Sequence, residues 1–210
     1  MQISKLKLVT IVAGILLFVG TTPGYSQWWY GAVSYQASLP NGDTKEFAGN
    51  TSWRGVGLDF RKSVNATTTW GLFFGWNVFH ERVNETIIGI EIDGNPGAIT
   101  GLQDRTVNSF PMMLNVHKYF GSEGGTRPFI GINAGGFIMN QRFEIGLRML
   151  DETQWQWGGA PEIGVVIPAG YSSKIILNAK YYYALTGDSI LGDSINHSYF
   201  TFGVGFAWEQ

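Results

Sequence analysis

The chain has 210 residues, 44% of them hydrophobic and only 14% charged, with a formal net charge of −2. That length suits one domain, and the weakly acidic balance excludes the basic footprint of a nucleic-acid binder. Cysteine is absent, which excludes a disulfide framework, a cysteine-based metal site and an N-terminal lipoprotein anchor.

Residues 1–26 read as a cleaved signal peptide. Lys5 and Lys7 form the positive start, residues 8–20 the apolar stretch, and Pro23, Gly24 and Ser26 the small-residue exit, with cleavage expected after Ser26. The apolar run is shorter than the ~20 residues of a spanning helix. Removing two of the 14 basic side chains leaves 12 against 16 acidic, a net charge of −4 for the domain at 27–210. No later run reaches the length of a spanning helix. Since only helices and closed barrels satisfy every backbone polar group in lipid, the strand pattern has to decide between a soluble and a membrane form.

Residues 28–39 form the first strand, with Trp29, Val33, Tyr35 and Leu39 on one face and Ala32, Ser34, Gln36 and Ser38 on the other. A polar loop over 40–50 leads to a second strand over 51–62, where Val56, Leu58 and Phe60 oppose Gly57, Asp59 and Arg61. After a turn at 63–67, the third strand alternates Trp70, Leu72, Phe74, Trp76 and Val78 with Gly71, Phe73, Gly75 and Asn77. Residues 82–103, with Asn95-Pro96-Gly97, read as the largest surface loop, whose inner piece at 87–92 suits a strand extension or a small ribbon.

Strands four (106–120) and five (127–141) flank the polar turn at 121–126. Pro111 lacks a ladder donor and predicts a bulge or local break in strand four. A loop over 142–153 precedes strand six (154–168), a turn at 169–173, strand seven (174–186), a loop at 187–196 and strand eight (197–208). In the last strand Phe200, Phe202, Val204, Phe206 and Trp208 alternate with Tyr199, Thr201, Gly203, Gly205 and Ala207.

Eight strands joined alternately by long loops and short turns predict an all-β fold: an antiparallel up-and-down transmembrane β-barrel, with long loops outside and short turns in the periplasm. A soluble lipocalin-like barrel would turn its polar face to water. Here the polar faces are rich in Gly, Ala, Ser and Asn, which suit a narrow interior better than a solvated surface. Aromatics near strand ends, Trp28, Trp29, Trp70, Tyr119, Trp155, Trp157 and Trp208, are expected at the membrane interfaces.

The stretches Ser52-Trp53-Arg54-Gly55-Val56-Gly57-Leu58-Asp59-Phe60, Trp70-Gly71-Leu72-Phe73-Phe74-Gly75-Trp76-Asn77-Val78-Phe79, and Phe110-Pro111-Met112-Met113-Leu114 running on to Arg127-Pro128-Phe129-Ile130-Gly131 together resemble the small outer-membrane β-barrel family. This is the porin-like, OmpA/OmpX-type family of Gram-negative envelopes, particularly its Bacteroidetes versions. The resemblance spans the mature chain and carries no shared catalytic residues. It implies a monomer inserted by the barrel-assembly machinery among outer-membrane lipids and lipopolysaccharide, with no cofactor or metal. One departure is the C-terminus, where Glu209-Gln210 follow the terminal aromatic Trp208.

Projected inward, Asp59, Arg61, Asn77, Glu81, Asn115, His117, Asn133, Glu162, Asn178 and Lys180 form a polar lumen. Eight strands leave an interior that side chains fill, so the expected role is a hydrogen-bonded, ion-paired plug, with a narrow ion path as the functional rival. The expected function is a non-enzymatic envelope scaffold, surface-interaction protein or narrow porin, with any ligand or partner bound at the outer loops. An acyl hydrolase or acyltransferase is the alternative, its ingredients being His80 beside Glu81, and His197-Ser198. The latter pair are chain neighbours on opposite strand faces, which works against a nucleophile and base in contact.

Overall fold

The computed structural model describes residues 29–92, 95–145, 148–185, 187–188 and 194–209, with 84–92, 95–100, 148, 187–188, 194–195 and 209 described by backbone alone. The expected signal peptide and Trp28 lie outside the described residues.

Eight strands close into one ring in the order β1-β10-β7-β6-β5-β4-β3-β2. They are β1 (Trp29–Asn41), β2 (Gly55–Asn65), β3 (Thr68–Ile92), β4 (Asn95–Tyr119), β5 (Arg127–Ile145), β6 (Arg148–Pro168), β7 (Ser173–Ala184) and β10 (Ser198–Glu209). Every neighbour pair is antiparallel, and β1 closes the ring on β10 through Ala32↔Ala207 and Gln36↔Gly203. Two two-residue strands, β8 (Gly187–Asp188) and β9 (Ser194–Ile195), make a separate ribbon.

The connections depart from the expected loops. Residues 82–103 continue β3 and β4, paired as far as Ile92↔Asn95 across an irregularity at Val83/Thr86. Residues 142–153 likewise continue β5 and β6 to Ile145↔Arg148. The 40–50 segment holds a helix, α1 (Gly42–Phe47). The extension expected as one reading of 87–92 is present, and in both extensions cross-strand polar pairs take the outward places while Phe143 and Ile145 stay buried. Arg82 Nη2 donates to Asp104 Oδ2 at 2.9 Å, and Arg142 Nη2 to Asp151 Oδ2 at 3.1 Å. Above the hydrocarbon the outward face meets water, so the lipid-facing apolar row that marks the lower strands is missing there.

The expected break at Pro111 is present. The β3–β4 ladder stops after Phe74↔Met112 and resumes in the same register at Asn77↔Ser109, whereas the β4–β5 ladder runs unbroken through Pro111↔Phe137. A second interruption lies between Gly159↔Tyr183 and Glu162↔Lys180, opposite Pro161. Each proline withholds the donor that its rung needs.

The polarity is inside out. Large apolar side chains stand exposed around the outer wall, among them Val33, Leu58, Leu114, Ile132, Ile163 and Phe202. Arg61, Lys180, Glu162 and His117 are buried inside. A contiguous apolar belt of this kind meets lipid rather than water, so the protein is an integral membrane-spanning barrel. None of its described helices is long and apolar enough to cross a membrane.

Candidate functional site

The lumen is stacked in layers. Toward the turn end, Tyr30, Tyr119, Phe129, Val166 and Ile176 form one buried apolar cluster. Toward the loop end, Phe73, Phe79, Phe137, Tyr182 and Tyr199 belong to a second. Strand alternation points these residues inward, and the narrow ring leaves room for side chains but not for a wide channel.

Charged groups lie between the two layers. On β2, Arg61 Nε and Nη2 donate to Asp59 Oδ1 and Oδ2 at 3.0 and 2.5 Å, a two-pronged grip between residues on the same inward face. Arg61 also reaches Tyr119 Oη at 2.8 Å and comes within 3.5 Å of Glu162 Oε1. Its guanidinium lies over the Tyr30 and Phe129 rings at 5.3 and 5.2 Å. Glu162 is the hub. It accepts from His117 Nε2 at 2.9 Å, Asn133 Nδ2 at 3.2 Å and Asn178 Nδ2 at 2.7 Å, and Lys180 Nζ is 3.5 Å away. Asn115 Nδ2 donates to Asp59 Oδ1 at 3.0 Å. Two acids and two bases thus balance without a net charge, as a water-poor interior requires.

Of the ten residues expected in the lumen network, the structure brings together Asp59, Arg61, Asn115, His117, Asn133, Glu162, Asn178 and Lys180. Asn77 is buried nearer the loop end and accepts from Ser38 Oγ at 2.9 Å. Glu81 is half-buried beyond it and accepts from the Gly49 amide at 2.7 Å, holding the segment after α1. Among the aromatics, Trp29, Trp155, Trp157 and Trp208 are exposed on the outer wall and Trp70 is half-buried. Tyr119 is a correction: it is 3% exposed and faces the lumen. Its position at a strand end suggested an interface, but its odd-numbered place on β4 shares the inward face with Asn115 and His117.

Sequence reasoning missed the loop-end closure. Phe47 and Ala48 join the upper apolar cluster, so α1 and the residue after it fold over the barrel mouth, and the Arg105 guanidinium lies 5.9 Å from the Phe47 ring. Buried His197 fastens this cover. Its Nδ1 lies 3.2 Å from Thr44 Oγ1, and its Nε2 lies 2.9 Å from Gln141 Nε2. The Gln141 amide donates, so Nε2 accepts and Nδ1–H donates to Thr44, which is the neutral imidazole. Burial holds the His197 pKa down to about 4, with the Asp43 carboxylate opposing. The only sequence signal was the apolar Phe47 inside an otherwise polar loop.

No protein-family model matches the chain, and no curated protein matches it. Solved structures do. Neisserial surface protein A is 10% identical with a TM-score of 0.57, over 88% of this chain and 99% of that one. The fold is that of a small outer-membrane β-barrel. Ail, the attachment invasion locus protein of Yersinia pestis, solved with the heparin analogue sucrose octasulfate, is 14% identical with a TM-score of 0.51, over 89% of this chain and 100% of that one. The outer membrane protease OmpT of Escherichia coli is 6% identical with a TM-score of 0.53, over 90% of this chain and 100% of that one. At these identities the likeness is one of fold. A barrel of this shape serves binding proteins and at least one protease, so activity has to be argued from side chains.

Proposed function

We propose that this barrel is a non-conducting, non-enzymatic envelope protein whose projecting hairpins serve as a recognition surface. The observation that carries the reading is the layered lumen: an ion-paired stratum between two aromatic strata, under a mouth covered by α1. An ion entering it has to displace groups that already neutralise one another, and the desolvation of each costs several kcal/mol. The hairpins β3–β4 and β5–β6 continue beyond the rungs where β2 pairs, and Gly55↔Asn77 is the last such rung on β3. The segment before β2 caps the next stretch, with Val78 N donating to Arg54 O, Ser52 Oγ to Val78 O and Asn50 Nδ2 to His80 O; beyond His80, β3 offers backbone to a partner that adds an extended segment. Lipopolysaccharide contact, a monomeric state and insertion by the assembly machinery belong to the same reading.

The acyl-transfer alternative finds little support. His80 Nδ1 lies 3.1 Å from Asp104 Oδ1 and 3.2 Å from Thr106 Oγ1. Among the described residues, neither His80 nor His197 has a serine hydroxyl as a hydrogen-bond partner, which a serine nucleophile would require.

The deciding test is single-channel recording of the refolded mature protein in planar bilayers, with Lys180→Ala and Glu162→Ala alongside. Silence from protein shown to be inserted supports a plugged barrel. Reproducible steps that change with either substitution would put the narrow-porin reading ahead.

A further inference from the structure

The lipid-facing wall is notched. Across β3 to β7 the outer surface holds a groove of about 710 Å³, on a belt where neighbouring outward positions carry Leu, Ile, Phe and Trp. Its floor is made of small outward residues on two adjacent strands. Ala134 and Gly136 on β5 stand opposite Gly159 and Trp157 on β6. Leu72 and Phe74 on β3 and Leu114 on β4 wall one side, and Tyr183 and Leu185 wall the other. The Trp155 ring lies against Gly136 where a side chain would otherwise stand, and meets Trp157 edge to face at 5.6 Å. The two aromatics together form a lip.

The polar boundary lies directly above, on the same strands. Six residues along β5 from Ala134, roughly 20 Å of strand, comes Asn140. Its Nδ2 donates to Thr153 Oγ1 at 3.0 Å and its Oδ1 accepts from Asn108 Nδ2 at 3.4 Å. Trp76 Nε1 donates to Asn108 Oδ1 at 3.3 Å. The charges beyond are paired with one another, as Arg82–Asp104 and Arg142–Asp151.

We propose that this groove is a lipid site, holding one saturated acyl chain of a multi-acylated glycolipid of the outer leaflet, with its sugar hydroxyls against the Asn108, Asn140 and Thr153 rung. The groove is continuous with the belt that already faces hydrocarbon, so its occupant comes from the bilayer. Its loop-end lip at Trp155 lies two residues along β6 from Thr153 of the polar rung, on the side of the outer leaflet. The rung above offers amides and a hydroxyl beside the Asp151 carboxylate, which Asn140 Nδ2 reaches at 2.5 Å and Arg142 pairs; this fits sugar hydroxyls better than a lone phosphate. A second barrel would have to set its own apolar belt against that polar rung. The proposal rests on the membrane-spanning fold and not on whether the lumen conducts.

The test is native mass spectrometry of the full mature protein, released from mixed vesicles of lipid A and phosphatidylglycerol into mild detergent. Each variant is first shown to be folded by its heat-dependent shift on a gel. Wild type is expected to retain one lipid A molecule. Ala134→Phe, which fills the floor from the lipid side, is expected to lower retention at least fivefold. Trp157→Ala, which removes a wall without adding bulk, is expected to lower it in the same direction. Ile130→Phe, outward on the same strand but outside the groove, should retain it as wild type does. Equal retention by all four proteins, retention of phosphatidylglycerol alone, or a dimer lost with Ala134→Phe would each overturn the proposal, the last in favour of a second copy of the barrel.

Discussion

Glu162 and Lys180 face each other directly across β6 and β7, and their charged groups stand 3.5 Å apart in the middle of the barrel. Lys180 Nζ also lies 3.3 Å from the centre of the Phe73 ring, so carboxylate and aromatic face together hold an ammonium that no solvent reaches. This pair joins the β6–β7 ladder to the cross-lumen contacts of Arg61 and His117.

Removing the hub should therefore cost more than removing an exposed acid. Glu162→Ala leaves Lys180 and Arg61 short of countercharge, and should destabilise the barrel by about 3–5 kcal/mol. The double variant Glu162→Leu with Lys180→Met, which removes both charges, should recover much of that loss. Urea midpoints of protein refolded into vesicles measure both. A Glu162→Ala midpoint equal to that of Glu123→Ala, at an exposed acid in the turn after β4, would mean that the charged layer holds nothing together.

Ile132 tests the inside-out polarity. It is 63% exposed on β5, in the belt, so Ile132→Arg should destabilise the folded state in bilayers by roughly 2–4 kcal/mol, the cost of arginine near the midplane of a barrel wall. A soluble barrel would tolerate the change. Stability unchanged in vesicles would contradict the membrane belt.

The cover over the mouth should loosen in acid. His197 has an ordinary value of 6.5 when unfolded and about 4 when buried, so the unfolded form binds more protons between the two. Its contribution to stability is complete above about pH 6.5 and is lost as pH falls toward 4, on the order of 3 kcal/mol over the full interval. Protection factors of residues 42–48, with exchange corrected for its intrinsic pH dependence, should fall between pH 7 and pH 4.5 in the wild type and change little in His197→Asn. Identical pH profiles for the two proteins would remove His197 from this role.

Gly71 is needed for close approach of two strands. A β-carbon there would strike the Phe60 carbonyl and the Arg61 α-carbon. Gly71→Ala should thus cost about 1–3 kcal/mol through displaced backbone. Gly125→Ala, whose nearest neighbours are at ordinary contact distances of 3.5 and 3.6 Å in an exposed turn, should be nearly neutral. Thermal unfolding of the two variants side by side decides the matter.

Alternation alone was enough to assign faces through the lipid-crossing part of every strand. A side chain that meets hydrocarbon and one that meets a packed lumen differ so much in polarity that a period of two is written into the residues. Glu162 and Lys180 are inward on that ground, and so is Tyr119, whose parity was the better guide than its place near a strand end. Alternation is harder to read at 82–103 and 142–153, where the outward Arg82, Asp104, Arg142 and Asp151 are polar and the apolar Phe143 and Ile145 are buried in the loop-end cluster.

What the sequence by itself determined is thus the number of membrane strands, their inward and outward faces and the inside-out wall. Only the tertiary structure decided that Arg61 of β2 meets Glu162 of β6, that α1 covers the mouth, and that Ala134, Gly136 and Gly159 form one notch. The physical reason is ring closure. Strands β2 and β6 are not neighbours in the sheet, and which residues meet across the lumen depends on the stagger and tilt with which eight strands close. No single strand's pattern carries that information.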